Sequence, residues 1–459
     1  MQDRPYWNMD IEPFLNTPRM REIQIERLGR HLRRIYEKSA IQRKFIDSLG
    51  VDITKIRSLE DLQKAFPPMD KHQVRQLVLT HMGEGGLEGV LNDFLCSPLK
   101  DVVLLATTSG TTGEPTPYFF TRGDLELMYE SMARVLWRCG IRPGDVVVHA
   151  MGLSMFGGGI PCVLSLVNFG VGTVPVGSES GTERVLNYLN IVRMVKGKID
   201  GVFMTPSFAE YLIEKCPELL QVEVKELGIL RLLSGGEPGA GLEAVKKKIE
   251  GAFHCRIYDM MGLTAGFWCS CDSDVYQGMH FVRDDTCILE LIDPETKEPV
   301  PLEDGATGEL VGTALAGDTL NMIRFNSNDI MQIFTSPCPC GQTGARYKVI
   351  GRSDDMLKVK GVMVYPAAID NVITSFVPRV TGEFRIVLTE PPPRVVPPLK
   401  LKVEFGEGFP REKLGELAQE IANKMHDALK IRPEILWVEP QSLERSVHKT
   451  RFIEKAYEK

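Results

Sequence analysis

Residues 107–115 read TTSGTTGEP and directly follow an apolar run at 102–106. These nine residues contain four threonines, one serine and two glycines. Glycine reaches backbone angles that are closed to other residues, so successive N–H groups can turn toward one anion while the hydroxyl groups donate further hydrogen bonds. The stretch therefore predicts a loop that binds a polyphosphate.

The loop is not of the Walker A type, because it contains no lysine and no Gly-Lys-Ser/Thr follows at the required spacing. An ordinary surface turn is the alternative, since serine, threonine and glycine are also the common residues of turns. Composition alone favours that alternative. Other stretches of the chain must therefore decide between the two.

Five later stretches accompany the loop, and all six resemble the ordered motifs of the adenylate-forming enzymes, most closely those of the phenylacetate-CoA ligase group. The five are YDMMGLTAG at 258–266, TGELVGT at 307–313, IRFNSNDI at 323–330, GRSDDMLKVKGVMVYP at 351–366 and RSVHKTRF at 445–452. The resemblance implies an ATP-dependent, AMP-forming acyl-CoA ligase. Such an enzyme converts a small aromatic or short-chain carboxylic acid, with or without a hydroxyl group, to an acyl-adenylate and then to the CoA thioester.

Composition limits the other possibilities. The chain has 459 residues, of which 43% are hydrophobic and 25% charged, as in ordinary globular proteins with two or more domains. A net charge of −7 argues against a nucleic-acid-binding protein, and no apolar run suits a signal peptide or a membrane span. We expect a cytoplasmic homodimer whose partners are a small carboxylic acid, ATP and CoA.

Apolar periodicity predicts an α/β fold. Helices are expected at 21–39, 122–139, 183–196, 207–216 and 241–251, and strands at 145–151, 171–176, 201–205, 228–234 and 255–260. After residue 266, short strands such as 286–292 and 308–313 indicate a β-rich subdomain. The region 1–352 is therefore expected to be a large N-terminal domain of layered sheets and helices that contains this subdomain.

A small C-terminal α+β domain is expected at 353–459, after the GRSDD stretch interrupts the strand pattern. Its predicted elements are a helix at 366–376, strands at 383–388 and 399–405, a helix at 411–429 and a strand at 435–438. The stretch PPPRVVPP at 391–398 predicts an extended loop that cannot pair as a ladder, because proline lacks an N–H group. The resemblance implies that this small domain is mobile.

The resemblance also assigns the parts of the ATP site. Glu114 stands where the family usually has lysine, next to the residues implied to hold the β- and γ-phosphates: Thr108, Ser109, Gly110, Thr111, Thr112 and Gly113. Asp329 and Arg352 match the ribose contacts, since a carboxylate can accept hydrogen bonds from both hydroxyls of a vicinal diol. Asn328 replaces the usual glycine before this aspartate, and asparagine tolerates left-handed backbone angles.

Two stretches, SGGEP at 234–238 and the strand end at 258–264, resemble the edges of an adenine site. The residues implied there are Gly236, Glu237, Tyr258, Asp259, Met261 and Gly262, with Thr264 as a catalytic residue beside the α-phosphate. Met261 replaces a tyrosine that stacks on adenine, although a thioether still covers an aromatic face. Ala265 replaces a glutamate that binds magnesium, so the ion must take its ligands from phosphates, water or another side chain.

Near the C-terminus, RSVHKTRF resembles the loop that delivers a catalytic lysine, which makes Lys449 the candidate. An ammonium group between the attacking carboxylate and the leaving phosphate stabilises the transition state. His448 replaces the usual glycine. In this family the small domain rotates about a hinge, here Asp354, and then presents Lys358 and Gly361 to the channel for the CoA thiol.

Closely spaced cysteines with one histidine indicate a tetrahedral zinc site between residues 267 and 345. The pattern resembles a zinc-bearing subset of the phenylacetate-CoA ligase group, whose ligands fall on Cys271, His280, Cys338 and Cys340. Cys269 is an alternative ligand, and four unrelated reduced cysteines are the alternative interpretation. A closed site of this kind would be structural.

The acid pocket is expected along MGLSMFGGG at 151–159, because glycines admit a ligand close to the backbone and apolar side chains supply the walls. The residues are Met151, Ser154, Phe156, Gly157 and Gly158. Met151 stands where the aryl-binding relatives have an aromatic residue, so phenylacetate itself is not the expected acid.

Two other functions compete with the CoA ligase. One is an adenylating enzyme that passes the acyl group to a different acceptor. The other is a nucleotide-binding protein that has lost catalysis, as Glu114, Met261 and Ala265 would suggest. The lysine motif and the hinge favour an enzyme, because a binding protein has no use for a mobile lysine.

Overall fold

A computed structural model of the protein describes residues 4–80, 86–107, 117–153, 157–237, 239–263, 266–271, 276–319, 322–360, 362–445 and 452–458. Short 3-10 helices connect several of the elements. The α-helices are α1 (Pro18–Lys38), α2 (Ala40–Ser48), α3 (Leu59–Ala65), α4 (Lys71–Leu79), α5 (Gly86–Phe94), α6 (Arg122–Arg138), α7 (Ile160–Phe169), α8 (Thr182–Lys196), α9 (Pro206–Leu220), α10 (Glu243–Phe253), α11 (Pro366–Thr374) and α12 (Leu414–Leu429).

Twelve of the strands in the described residues form one large sheet, and the others form smaller sheets. All of these strands follow in chain order. The strands are β1 (Leu104–Thr107), β2 (Pro117–Phe120), β3 (Val146–His149), β4 (Gly172–Pro175), β5 (Gly201–Met204), β6 (Arg231–Gly235), β7 (Arg256–Leu263), β8 (Gly266–Ser270), β9 (Met279–Phe281), β10 (Cys287–Ile292), β11 (Pro299–Val300), β12 (Thr307–Ala314), β13 (Phe325–Phe334), β14 (Arg346–Arg352), β15 (Leu357–Val359), β16 (Val362–Val364), β17 (Val380–Leu388), β18 (Arg394–Val395), β19 (Lys400–Phe405), β20 (Glu434–Val438) and β21 (Ile453–Lys455).

The parallel half of this sheet has the order β4-β3-β5-β6-β7. Its strands are short and apolar, and those at its centre are buried on both faces because helices cover both. Helices α6 and α7 pack on one face, while α8, α9 and α10 pack on the other. The predicted alternation of strands and helices from 122 to 260 is confirmed, with small shifts at the ends of the elements.

The predicted β-rich region continues this sheet rather than forming a separate one. β7 pairs antiparallel with β8, and the order then runs β8-β9-β14-β13-β12-β10-β11. Trp268, Phe281 and Tyr347 form the aromatic centre of its core. Strands from both halves therefore share one rigid frame.

Helix α1 begins where the chain supplies a capping side chain. Thr17 accepts a hydrogen bond from the Met20 N–H group, and Pro18 follows at the first helical position, where its missing N–H costs nothing. Leu28, Leu32 and Ile35 are buried at helical spacing. The predicted amphipathic helix at 21–39 is confirmed.

The C-terminal part forms a smaller sheet of order β20-β19-β17-β21, packed against α11 and α12 around a core of its own. The predicted helix-strand-strand-helix-strand order is confirmed. One prediction about this part was wrong: within PPPRVVPP, residues Arg394 and Val395 form β18, which pairs with β15. Pairing is possible because these two residues retain the N–H groups that the flanking prolines lack.

Four cysteines lie in the apolar interior. The thiols at 96, 139, 162 and 216 are free and buried. In the part of the chain that the structure describes, no helix combines the length and the apolar character needed to cross a lipid bilayer.

Candidate active site

Asp329 and Arg352, the two candidates for ribose binding, lie opposite each other on neighbouring antiparallel strands, β13 and β14. An Arg352 guanidinium nitrogen donates to Asp329 Oδ1 at 2.8 Å. Burial raises the pKa of Asp329 above its ordinary value, and the positive charge of Arg352 opposes that shift. Asn328 takes the left-handed angle expected of it, with φ of 62°. The arrangement presents a buried, partly neutralised carboxylate in the middle of β13, opposite the end of β14.

Arg352 also binds the candidate hinge residue. Its Nε and its second terminal nitrogen each lie 2.8 Å from an oxygen of Asp354. Paired contacts of this kind are among the stronger ion pairs because two parallel hydrogen bonds fix the geometry. One guanidinium therefore connects the candidate ribose carboxylate with the start of the small domain.

The candidate adenine residues lie at the carboxyl ends of two adjacent parallel strands, β6 and β7, where Ser234 pairs with Asp259. Ligands of open α/β sheets bind at such an edge. Gly236 follows β6 with φ of 89°, a conformation that favours glycine. Glu237 accepts a hydrogen bond from the Ser207 N–H group at 2.8 Å. Tyr258 is buried, Met261 is half-buried and Gly262 is exposed.

Asp259 is engaged within the protein by Tyr276, a residue that the sequence did not single out. The Tyr276 hydroxyl donates to Asp259 Oδ2 at 2.5 Å. Burial raises the pKa of this carboxyl group to about 6, although the hydrogen bond from Tyr276 and the charges of Lys246 and Lys348 act in the opposite direction. Asp259 therefore changes its protonation state just below neutral pH.

The candidate acid pocket begins where β3 ends. Met151 is buried there, and its Cε lies 3.4 Å from the position that a Cβ on Gly236 would take. A Cβ on Gly157 would meet no atom of the described residues within 4 Å, so the backbone borders open space. The candidate acid and adenine sites therefore adjoin each other at Met151 and Gly236.

Two further side chains, not singled out from the sequence, bind the segment 151–159 of the candidate acid pocket, one at Gly158 and one at Leu153. His149 Nε2 donates to the Gly158 carbonyl at 2.8 Å, and Glu179 Oε1 accepts from the Leu153 N–H group at 2.8 Å. Burial lowers the pKa of His149, which keeps the ring neutral at neutral pH. In the sequence, the one indication of such a contact is His149, which ends the otherwise apolar strand β3.

The predicted metal ligands come together. Cys271, His280, Cys338 and Cys340 place their ligand atoms within 4.8 Å of one another. Cys271 Sγ lies 3.3 Å from Cys338 Sγ, and Cys340 Sγ lies 3.4 Å from His280 Nε2. Three thiols and one imidazole are the ligands of tetrahedral structural zinc sites, so this donor set fits zinc.

The surrounding backbone orients the histidine in this cluster. His280 Nδ1 lies 2.9 Å from the Thr343 carbonyl oxygen, to which it donates, so Nε2 keeps its lone pair for the thiol side. Cys269, the alternative ligand, lies instead against Cys139, directly after the end of α6, and is not part of the cluster. Residues two apart share one face of a strand, but β8 ends at Ser270, so Cys271 lies beyond it and is not constrained to the face of Cys269.

In the small domain, Lys358 lies on β15 and contacts the large domain. Its Nζ is 3.2 Å from Glu295 Oε1 in the turn between β10 and β11. This candidate for the thiol channel is therefore held by an ion pair in the present arrangement of the domains.

Several predicted residues lie outside the described part of the chain. They are Thr108, Ser109, Gly110, Thr111, Thr112 and Gly113 of the phosphate loop, Ser154, Phe156, Thr264, Gly361 and Lys449. The residues that flank the phosphate loop are described: Thr107 and Pro117 pair across the hairpin of β1 and β2. The two ends of the loop are thus held together.

Comparison with protein families gives two matches that together span most of the chain. The AMP-binding enzyme family matches residues 36–315, and the AMP-binding enzyme C-terminal domain matches residues 361–455. A phenylacetate-coenzyme A ligase from Thermus thermophilus is 30% identical over 461 residues, which cover 95% of this chain and 97% of that protein. The phenylacetate-coenzyme A ligase of Escherichia coli is 27% identical over 80% of each chain.

Among solved structures, a 2-hydroxyisobutyryl-CoA ligase is similar over nearly the whole chain. In its postadenylation state, in complex with 2-HIB-AMP, the TM-score is 0.87 at 26% identity, covering 100% of this chain and 94% of that one. With 2-HIB-AMP and CoA in the thioesterification state, the TM-score is 0.69, covering 99% and 93%. The present arrangement of the domains therefore resembles the postadenylation state more closely.

Proposed function

The chain belongs to the AMP-binding enzyme family and is an ATP-dependent, AMP-forming acyl-CoA ligase, and we propose that its substrate is a small acid other than phenylacetate. The choice is supported by Met151, a flexible thioether at the position where the sequence resemblance implies an aromatic residue in the aryl-binding relatives. A short-chain acid, hydroxylated or not, suits such a pocket, and a substituted small aromatic acid is the second candidate. The 2-hydroxyisobutyryl-CoA ligase supports the first choice by its similarity.

The reaction has two steps. The acid's carboxylate oxygen attacks the α-phosphorus of ATP and expels pyrophosphate, and the CoA thiolate then attacks the acyl carbon and expels AMP. In our proposal the loop from Thr108 to Gly113 binds the β- and γ-phosphates, Asp329 and Arg352 bind the ribose, and the strand ends at Gly236 and Met261 border adenine. Thr264 and Lys449 stabilise the charge that moves to the leaving phosphate.

Magnesium is proposed to arrive with ATP. Ala265 offers no ligand atom, so phosphate oxygens and water would supply most of the coordination, as is usual for this ion. Its chemistry would be to neutralise the charge that builds up as pyrophosphate leaves.

We propose that the small domain begins at residue 353 and rotates about Asp354 between the two steps. The rotation would release Lys358 from Glu295 and bring it, with Gly361, to the CoA channel. The two TM-scores against one ligase in two states support this proposal, because they show that relatives of this fold adopt both arrangements. The reaction is placed in the cytoplasm, where ATP and CoA are available and thiols stay reduced.

The cluster of Cys271, His280, Cys338 and Cys340 is proposed to bind one structural zinc ion. It joins β8 and β9 to the turn between β13 and β14, and four protein ligands leave no open position for catalysis. Zinc would thus stabilise the antiparallel half of the large sheet.

A screen for pyrophosphate release over a panel of carboxylic acids, with and without CoA, tests the proposed substrate. We expect turnover with several related small acids and slow turnover with phenylacetate. Accumulation of acyl-adenylate that CoA does not discharge would indicate another acceptor. The absence of pyrophosphate release with every acid would contradict the catalytic assignment.

We also propose that two copies associate through α8. Val185, Leu186, Leu189 and Val192 face the core, while Tyr188, Ile191, Met194 and Val195 form a second, exposed apolar stripe. The last two are 71% and 73% exposed. A contiguous exposed apolar stripe is typical of an interaction surface.

A second copy is the partner that the charges favour. Glu183 lies in the first turn of the helix and Lys196 is its last residue, so an antiparallel pair of α8 helices brings opposite charges together at both ends. Light scattering should give a dimer for the wild type and a monomer for Met194→Glu. Val167→Glu, which changes another exposed apolar residue on α7, should leave the dimer intact. A wild-type monomer would contradict the proposal.

A further inference from the structure

Glu404 is a fully buried carboxylate in β19 of the small domain. It accepts four hydrogen bonds. Leu443 N–H donates to Oε1 at 2.6 Å, while Gln441 N–H, the Thr381 hydroxyl and an Arg445 nitrogen donate to Oε2 at 3.3, 3.0 and 3.0 Å. A buried charge is tolerated only with such compensation.

Three of these four donors come from one segment, residues 441–445. The segment covers the carboxylate, and Gln441 takes a left-handed angle with φ of 63° as the chain turns over it. Arg445 supplies the positive charge that balances Glu404. The conformation of this segment therefore depends on a single side chain from β19.

A second contact fixes the same segment from another strand. Arg385 on β17 donates to the Glu444 carbonyl oxygen. Glu383, also on β17, lies 3.9 Å from Arg445 and 3.2 Å from Arg385. The segment is thus attached to two adjacent strands of the small sheet, with Glu404 as the contact that makes most of the hydrogen bonds.

The location of the segment gives these contacts a functional meaning. Residues 441–445 lead directly into RSVHKTRF, and the proposed catalytic Lys449 follows Arg445 by four positions. A lysine that must reach the α-phosphate needs a backbone that holds its direction, since small errors in position cost large factors in rate. Strands β17 and β19, together with Glu404, fix the backbone of residues 441–445, from which the lysine segment continues.

We propose that Glu404 is a positioning residue for the adenylation half-reaction, acting through the segment at 441–445. The inference rests on the proposed role of Lys449. It goes beyond a structural role because the two half-reactions use different faces of the small domain. Loss of Glu404 should therefore impair one of them selectively, whereas loss of general stability would impair both.

The sequence alone points away from this residue. In KLKVEF, side chains alternate, and Glu404 shares its face of β19 with Lys400 and Lys402, as a solvent-exposed carboxylate would. Its burial arises from a segment almost forty residues further along the chain, which no local pattern shows.

The test is Glu404→Gln, which keeps the size of the side chain and removes its charge. Acyl-adenylate formation should fall by about 10- to 100-fold in kcat, while thioester formation from supplied acyl-adenylate should stay within about 2-fold of wild type. Glu434→Gln, an exposed glutamate on the adjacent strand β20, is the matched control and should retain both rates. Equal loss in both half-reactions, or no loss in either, would overturn the proposal.

Arg445→Gln provides a second variant in case Glu404→Gln folds poorly. It should show the same selective loss, and the double variant should lose little more than either single one, because the two residues act as a pair. Additive losses would count against the pairing. Lys449→Ala, measured in parallel, separates the two hypotheses: if that variant forms acyl-adenylate normally, the lysine assignment fails, while the selectivity of Glu404→Gln still decides the role of Glu404.

Discussion

Arg352 donates a hydrogen bond to Asp329 from the neighbouring strand at 2.8 Å. The guanidinium partly neutralises a carboxylate whose burial would otherwise favour its protonated form. In our proposal, Asp329 is thereby kept ready to accept hydrogen bonds from a ribose.

Replacing Asp329 with alanine should raise the KM for ATP by about 10- to 100-fold, because hydrogen bonds to a charged group contribute roughly 1.5–3 kcal/mol. The KM for the acid should change little. Pyrophosphate release at saturating acid measures the effect, with Glu298→Gln, an exposed residue of the same domain, as control. An unchanged KM for ATP would remove Asp329 from the nucleotide site.

Lys449→Ala should abolish acyl-adenylate formation, with a loss of at least about 100-fold, because the ammonium stabilises charge only in that transition state. Thioester formation from supplied acyl-adenylate should remain largely intact. Rapid-quench measurement of both half-reactions gives the comparison. If both rates fall together, Lys449 is not the lysine of adenylation.

Elemental analysis should find about one zinc per chain, since four nitrogen and sulfur ligands complete one tetrahedral site. Cys338→Ser should lose the metal and lower the melting temperature by roughly 5–10 °C. Cys255→Ser, which alters a cysteine outside the cluster, should keep both the metal and the melting temperature. Metal-free protein that melts like the wild type would contradict a structural role.

Met151→Gly should shift the preference toward larger acids and leave the KM for ATP within about 2-fold. Apolar walls discriminate one methylene by about 10- to 200-fold, so the ranking over a size-graded series should change visibly. Met151→Leu keeps the volume and should keep the ranking. If the glycine variant retains the wild-type ranking, or loses ATP affinity in parallel, the acid pocket lies elsewhere.

The pH dependence of the protein's stability should reflect the titration of Asp259, whose pKa rises to about 6 on burial. Because the folded-state pKa exceeds the ordinary value, this group stabilises the fold below about pH 4 relative to higher pH, and that contribution is lost as the pH rises through 6. The melting temperature of Asp259→Asn minus that of wild type should therefore be larger at pH 8 than at pH 5. An equal difference at both pH values would show that Asp259 does not titrate in this range.

Local apolar patterns were enough to predict the order of helices and strands. The residues of the proposed metal cluster, which the structure brings together, and the facing pair of Asp329 and Arg352 were named from the resemblance to a known family. Helix α1 and the strands from β3 to β7 follow directly from apolar spacing. Spacing pointed to a metal cluster because Cys338 and Cys340 are two residues apart and Cys271 precedes His280 by nine.

The remaining features depend on contacts between distant residues. Tyr276 reaches Asp259, Glu179 reaches Leu153, and Glu404 meets a segment near the C-terminus, none of which any local period predicts. The continuity of the large sheet was missed for the same reason, since β9 pairs with β14 across more than sixty residues.

The continuity of that sheet has a consequence for amide hydrogen exchange. Strands β7 and β13, which carry the two halves of the proposed nucleotide site, belong to one hydrogen-bonded unit, so their amides should exchange through a shared opening reaction. The small sheet shares no strand with it in the described chain and should exchange independently. A bound nucleotide would therefore slow exchange across the whole large sheet, including strands that it never touches.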